Sequence, residues 1–145
     1  MSSPQIFRVG QLEIRFHLSP SVSGGTVALF ESIIPPGARV PVPHRHIDYD
    51  ETIHVLAGTC TFKVEQQGEV VVAARGTLFV PRGVAHGFAN HGSETVRLLV
   101  AITPGLLGPD YFEAVAAIVN AGGPPDVVRI GALMAQHGMQ PVPQL

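Results

Sequence analysis

Short runs rich in Val, Ile, Phe and Thr, each cut off by glycine or proline, fill the middle of this chain. They occupy residues 26–34, 52–56, 59–65, 69–73, 77–80, 85–90 and 95–103. The breakers between them are Pro35-Pro36-Gly37, Ala57-Gly58, Gln67-Gly68, Arg75-Gly76, Pro81-Arg82-Gly83 and His91-Gly92. β-Branched and aromatic residues suit a pleated, half-buried surface, and Gly and Pro supply the turns. Many short strands at close spacing leave few solutions other than an antiparallel barrel or jelly roll, so the expected class is all-β.

After residue 105 the period changes. Phe112, Val115 and Val119 recur at helical spacing from Asp110 onward, and Gly122-Gly123 supplies a stop. A second helix is expected from Pro124-Pro125-Asp126 to about His137, with Val127, Ile130, Leu133 and Met134 on its apolar face and Gly138 ending it. Helices this short need a surface to pack on. The expected organisation is therefore a β-barrel over 1–105, including an N-terminal strand, and a helical tail over 106–145 packed against the outside of the barrel, over its mouth or on a partner.

At 46% hydrophobic and 14% charged residues, the composition is that of a chain with a packed core rather than a disordered one. A net charge of −2 offers no basic footprint for nucleic acid or an anionic membrane. No apolar run approaches spanning length, and the first ten residues lack a charged stretch followed by an apolar one. Cys60 is the single cysteine, which fits a reducing compartment, so a cytoplasmic location is expected.

Four side chains carry the chemistry. In His44-Arg45-His46 the two imidazoles project to one face of a strand while Arg45 projects to the other. Glu51 lies an odd five residues beyond His46, so residues 47–50 must hold a turn or bulge before a new strand brings its carboxylate to the same face. His86 stands in Pro81-x-Gly83-x-x-His86, where a turn aims the ring inward. Three imidazoles and one carboxylate suit Fe, Mn, Ni, Cu or Zn and suit Mg or Ca poorly.

Two frames sit in order along the chain: Gly37, six residues, His44-x-His46, four residues, Glu51, six residues, Gly58; then Pro81-x-Gly83-x-x-His86-x-x-x-Asn90. Together they resemble the two motifs of the cupin superfamily, small β-barrels built around one metal. The pattern departs from the family's usual one in turns, with six residues instead of five before His44, four instead of five between Gly76 and Pro81, and Thr77 at a commonly acidic position. The resemblance implies a double-stranded β-helix and a single divalent transition metal held by His44, His46, Glu51 and His86. Four protein ligands leave two positions open on an octahedral ion, as a catalytic metal requires.

The small quercetinase-like cupins are the members this chain most resembles. They imply a metal-dependent dioxygenase acting on a small aromatic, enediol or phenolic substrate, with Glu51 as the catalytic base. A non-oxidative isomerase, lyase or decarboxylase and a binding barrel without turnover are the alternatives. Phe30, Ile53, Val55, Phe62, Phe79 and Phe88 are expected in the lumen, and Cys60 as a buried apolar filler. Tyr49, in the turn between His46 and Glu51, is placed either to reach the metal's open side as a hydrogen-bond donor or simply to pack half-buried. His54 faces away from Glu51 by alternation, and His17, His91 and His137 are assigned no role. A homodimer is the expected assembly.

Overall fold

The computed structural model describes residues 4–145. Eleven strands are found among them: β1 (Gln5–Val9), β2 (Leu12–Leu18), β3 (Ala28–Ile34), β4 (His44–His46), β5 (Asp50–Ala57), β6 (Thr59–Val64), β7 (Gly68–Ala73), β8 (Thr77–Val80), β9 (His86–Ala89), β10 (Val96–Thr103) and β11 (Met139–Pro141). They form two antiparallel sheets, ordered β1-β2-β3-β10-β5-β8 and β11-β4-β9-β6-β7. A short helix α1 (Pro20–Ser23) links β2 to β3, and two longer ones, α2 (Pro109–Val119) and α3 (Val127–Gln136), follow β10. The expected all-β jelly roll with a short helical extension is the fold observed.

The core lies between the sheets, and period-two alternation puts it there. Val96, Leu98, Val100 and Ile102 of β10 point inward and are buried; Val100 sits between Ile53 of β5 and Phe30 of β3 in the register. From the facing sheet Cys60, Phe62 and Val64 of β6 close onto them. Burying side chains of this size stabilises the fold by roughly 1.5–3 kcal/mol each. Gly58 makes the β5–β6 turn possible: its φ is +77°, and a Cβ there would lie 2.9 Å from the Thr95 carbonyl oxygen.

Alternation also corrects the expected lumen. Phe79 is 55% exposed, because it pairs with Thr52, whose neighbours Glu51 and Ile53 take the inward face. Val55 is fully buried in the core but does not reach the cavity described below.

One side of the sandwich closes by strand continuity, since β7 of one sheet turns directly into β8 of the other. On the opposite side the edges β1 and β11 do not pair with each other. The two long helices fill that side: α2 packs along β1, α3 along β11, and the helices on each other. Phe112 of α2 enters the core, its ring 5.0 Å from that of Phe30 and 5.7 Å from that of Phe16. Asn120 ties the end of α2 to the β1–β2 turn, accepting from the Gly10 amide and donating to the Arg8 carbonyl at 2.8 Å each. Asp126 caps α3 by accepting from the Arg129 amide. Among the described residues no helix is long and apolar enough to cross a membrane.

Candidate metal centre

β4 is only three residues long, yet it is anchored on both sides. On one side β11 runs antiparallel to it, Met139 opposite His46 and Pro141 opposite His44. On the other, His44 faces His86 of β9 across the ladder, and the Gly83 amide donates to the His46 carbonyl at 2.7 Å. His44 and His46 point inward. Arg45 points outward, where its guanidinium donates to Gln140 and Glu65. The turn expected after His46 is present: β4 ends there and β5 begins at Asp50, delivering Glu51 to the inner face.

The three imidazoles converge, with ring centroids 4.9–5.1 Å apart. One nitrogen from each of His44, His46 and His86 lies within 4.8 Å of the others. Metal–nitrogen bonds of about 2.0–2.1 Å put two ligands on one ion roughly 3–4 Å apart, within reach of modest side-chain rotation. His44 Nδ1 contacts the Val42 carbonyl at 2.8 Å and His86 Nδ1 the Val84 carbonyl at 3.0 Å. Each Nδ1 must carry the proton to donate there, which leaves Nε2 as the ligating atom of His44; His86 Nε2 carries a proton toward Glu51 and would ligate on losing it. The donor set and its outer hydrogen bonds therefore fit a transition metal.

Glu51 adjoins this triad. Its Oε2 accepts from His86 Nε2 at 2.8 Å and lies 3.6 Å from His46 Nδ1. Burial pushes the carboxyl's pKa upward, but the hydrogen bond from His86 and the nearby imidazole charges outweigh it and hold Glu51 at about 2. In the same contact His86 resists the downward push of burial and is raised by Glu51. Burial and the facing imidazoles push His44 down to about 3; burial likewise pushes His46 down to about 4. Two neutral imidazoles and an ionised carboxylate stand ready at neutral pH.

Tyr49 does not reach toward an open metal side. It is buried, its ring stacks on His46 at 4.6 Å, and its hydroxyl donates to the His137 carbonyl at 2.8 Å, so it braces a ligand from behind. His54 faces away as alternation requires, hydrogen-bonded to the Thr77 hydroxyl. Cys60 is fully buried, and burial pushes its thiol up to about 12, which makes it inert packing.

A sequence model of the family described as "Cupin domain" matches residues 30–102, half of the chain and the whole of the ligand-bearing region. This chain belongs to the cupin family. Solved structures with similar folds include a predicted oxalate decarboxylase from Thermotoga maritima (21% identity, TM-score 0.63, covering 70% of this chain and 92% of that one). A sugar phosphate isomerase of the cupin superfamily from Silicibacter pomeroyi is similar at 19% identity (TM-score 0.57, 70% and 68% coverage). KdgF from Halomonas sp. is similar at 14% (TM-score 0.59, 69% and 86%). Identities this low carry the fold alone. No curated protein matches the sequence.

In this cupin the triad and Glu51 open onto a cavity of about 90 Å³ between the sheets. Phe30, Ile53, Phe62 and Phe88 line it, as expected from the sequence. Leu12 and Ile14 of β2, and Leu107, Tyr111, Phe112 and Met134 of the tail, line it too and were not anticipated. The alternation of Leu12, Ile14 and Phe16 was a readable signal for β2; nothing in the sequence places a tail residue beside a metal. Among the described residues, no lysine or arginine lines this cavity.

Proposed function

We propose that this cupin is a mononuclear metal-dependent dioxygenase of a small, uncharged phenol or enediol, with His44, His46, His86 and Glu51 as metal ligands and Glu51 also as the base. The observation that carries the reading is the character of the cavity: apolar walls, no cation, and a carboxylate beside three imidazoles at one end. A carboxylate or phosphate substrate would find no lysine or arginine there and only a metal whose charge Glu51 already partly offsets, so much of its desolvation cost would go uncompensated. A neutral hydroxyl compound faces no such cost. The cavity is small, about 90 Å³ against about 150 Å³ for apolar cavities that take up benzene, which favours a compact occupant over a flavonol.

A bound transition metal supplies the Lewis acidity and the dioxygen chemistry. The chain's own residues do the rest. Glu51, ionised, accepts the proton of a substrate hydroxyl at Oε2. Phe30, Phe62, Phe88 and Phe112 exclude water and hold the ring or chain in place. In the overall reaction the bond between the two oxygen-bearing carbons breaks and each carbon gains one oxygen atom from dioxygen. The substrate supplies all four electrons, so no external reductant is needed.

The test is iron(II)- or manganese(II)-loaded protein given catechol, with oxygen uptake followed at an electrode and an anaerobic control alongside. One dioxygen consumed per catechol, with a dicarboxylate product, is expected. Consumption that continues without oxygen assigns the site to proton transfer alone; catechol recovered unchanged makes the barrel a binding module.

A further inference from the structure

Ser32 lies on β3, and period-two alternation settles which way it points. Phe30 and Ile34, its neighbours on the same face, are buried in the core. In the register Ser32 stands between Ile14 of β2 and Leu98 of β10, which are buried too and line the cavity with it. A serine hydroxyl is attached to Cβ itself, so it stays on the face that Cβ takes whatever its rotamer. The Ser32 hydroxyl is therefore part of the inner wall, on a residue only 5% exposed.

It is a polar group with nothing to pair with there. Glu31 beside it, on the outer face, is engaged by His17 and Arg97, whereas the Ser32 side chain makes no hydrogen bond among the described residues. Nor is it sealed, since among those residues Arg45 Nε is the one fully covered side-chain polar atom without a partner. A hydroxyl set in an apolar wall and open to a cavity is free to both donate to and accept from whatever occupies that cavity.

Ser32 lies at the end away from the metal ligands. In the register Glu51 is level with Ile102 and Ala28, whereas Ser32 is level with Leu98, four residues along the strands. At about 3.3 Å per residue that is a separation of roughly 13 Å along the strand direction. The two oxygens of a catechol are neighbours on one ring, so a molecule that meets Glu51 with one of them needs a further polar group beyond the ring to meet Ser32.

We propose that Ser32 determines substrate specificity, its hydroxyl pairing with an uncharged oxygen function at the end of the substrate remote from the metal ligands. The inference rests on the reading of the cavity as a site for a small phenol or enediol. It narrows that class to molecules with a short side chain ending in a hydroxyl or carbonyl, because no lysine or arginine lines the cavity to receive a charged one.

The test compares zinc-loaded wild type and Ser32→Ala by calorimetry, with two catechols of the same length, 4-(2-hydroxyethyl)catechol and 4-propylcatechol. Zinc has no redox chemistry to consume them, and the propyl compound reports whether the cavity keeps its shape. Loss of one neutral hydrogen bond predicts that the variant binds the hydroxyethyl compound roughly three- to tenfold more weakly, and the propyl compound at least as tightly as wild type does. Unchanged affinity for the hydroxyethyl compound overturns the inference and leaves the functional reading standing. Equal losses for the two compounds make Ser32 a packing residue and overturn it as well, as does wild type that binds the propyl compound alone. Wild type that binds neither overturns the functional reading, and the inference with it.

Discussion

His46 meets three demands at once: its ring faces the other two imidazoles, its backbone holds both β11 and the Gly83 turn, and Tyr49 stacks behind it. His46→Ala removes a ligand and leaves a void beside Tyr49, so metal content should fall to near zero on elemental analysis while the fold survives. Full occupancy in that variant would remove His46 from the ligand set. Glu51→Gln keeps all three imidazoles and replaces the carboxylate with a neutral amide; metal affinity is expected to fall about 10- to 100-fold, and proton transfer from substrate to stop. At this scale the sequence was informative. Strand alternation placed His44 and His46 on one face and excluded His54, and the odd step to Glu51 required the turn that is found before β5. It left Tyr49 open between the metal's side and packing, because no local rule says which way a turn side chain swings once a carbonyl such as that of His137 comes within reach. It failed for Phe79, because its facing depends on a pairing with β5 that the sequence does not display.

Among elements, β3 shows how one strand serves both faces of its sheet. Its inner side chains are core; on its outer side Glu31 is buried among the His17 imidazole, the Arg97 guanidinium and the neighbouring Arg15. Burial pushes the Glu31 carboxyl up, but the His17 and Arg97 hydrogen bonds prevail and hold it below its ordinary 4.5. A carboxyl that binds protons less readily folded than unfolded contributes stability that is complete above 4.5 and lost as pH falls through the folded value. Glu31→Gln should therefore be less stable than wild type to urea at pH 7, and the gap between the two should close as pH drops below 4.5. A gap independent of pH would mean the carboxylate charge is not what stabilises this contact. The long β runs and both tail helices were legible because their apolar patterns repeat. β4 was legible from the alternation of His44 and His46; β11, three residues long, was not, since it has no period of its own and is held by β4.

Over the whole molecule, the helical tail completes the core that the sheets leave open along β1 and β11. Leu107, Phe112, Val115, Ile130 and Met134 are all buried there. At roughly 1.5–3 kcal/mol each their contribution is on the order of 10 kcal/mol, comparable to the roughly 5–15 kcal/mol that holds a domain folded. A chain ending at Gly105 should thus be insoluble or lack cooperative unfolding by circular dichroism, although it retains every metal ligand. A soluble, cooperatively unfolding fragment would show that the tail is a cover and not part of the core.

What the sequence alone determined is what depends on neighbours a few residues away: strand periodicity, the glycine and proline stops, the two helices, and the ligand spacings that mark a cupin. The tertiary structure decided everything that needs contact across the chain. It brought His86 to His44 across 42 positions of sequence, set Glu51 against His86, and turned Tyr49 from the metal side to the His137 carbonyl. It also walled the cavity with tail residues such as Tyr111. The division is physical: periodicity is written into local backbone geometry, whereas a cavity is a property of surfaces that meet only after the chain has folded.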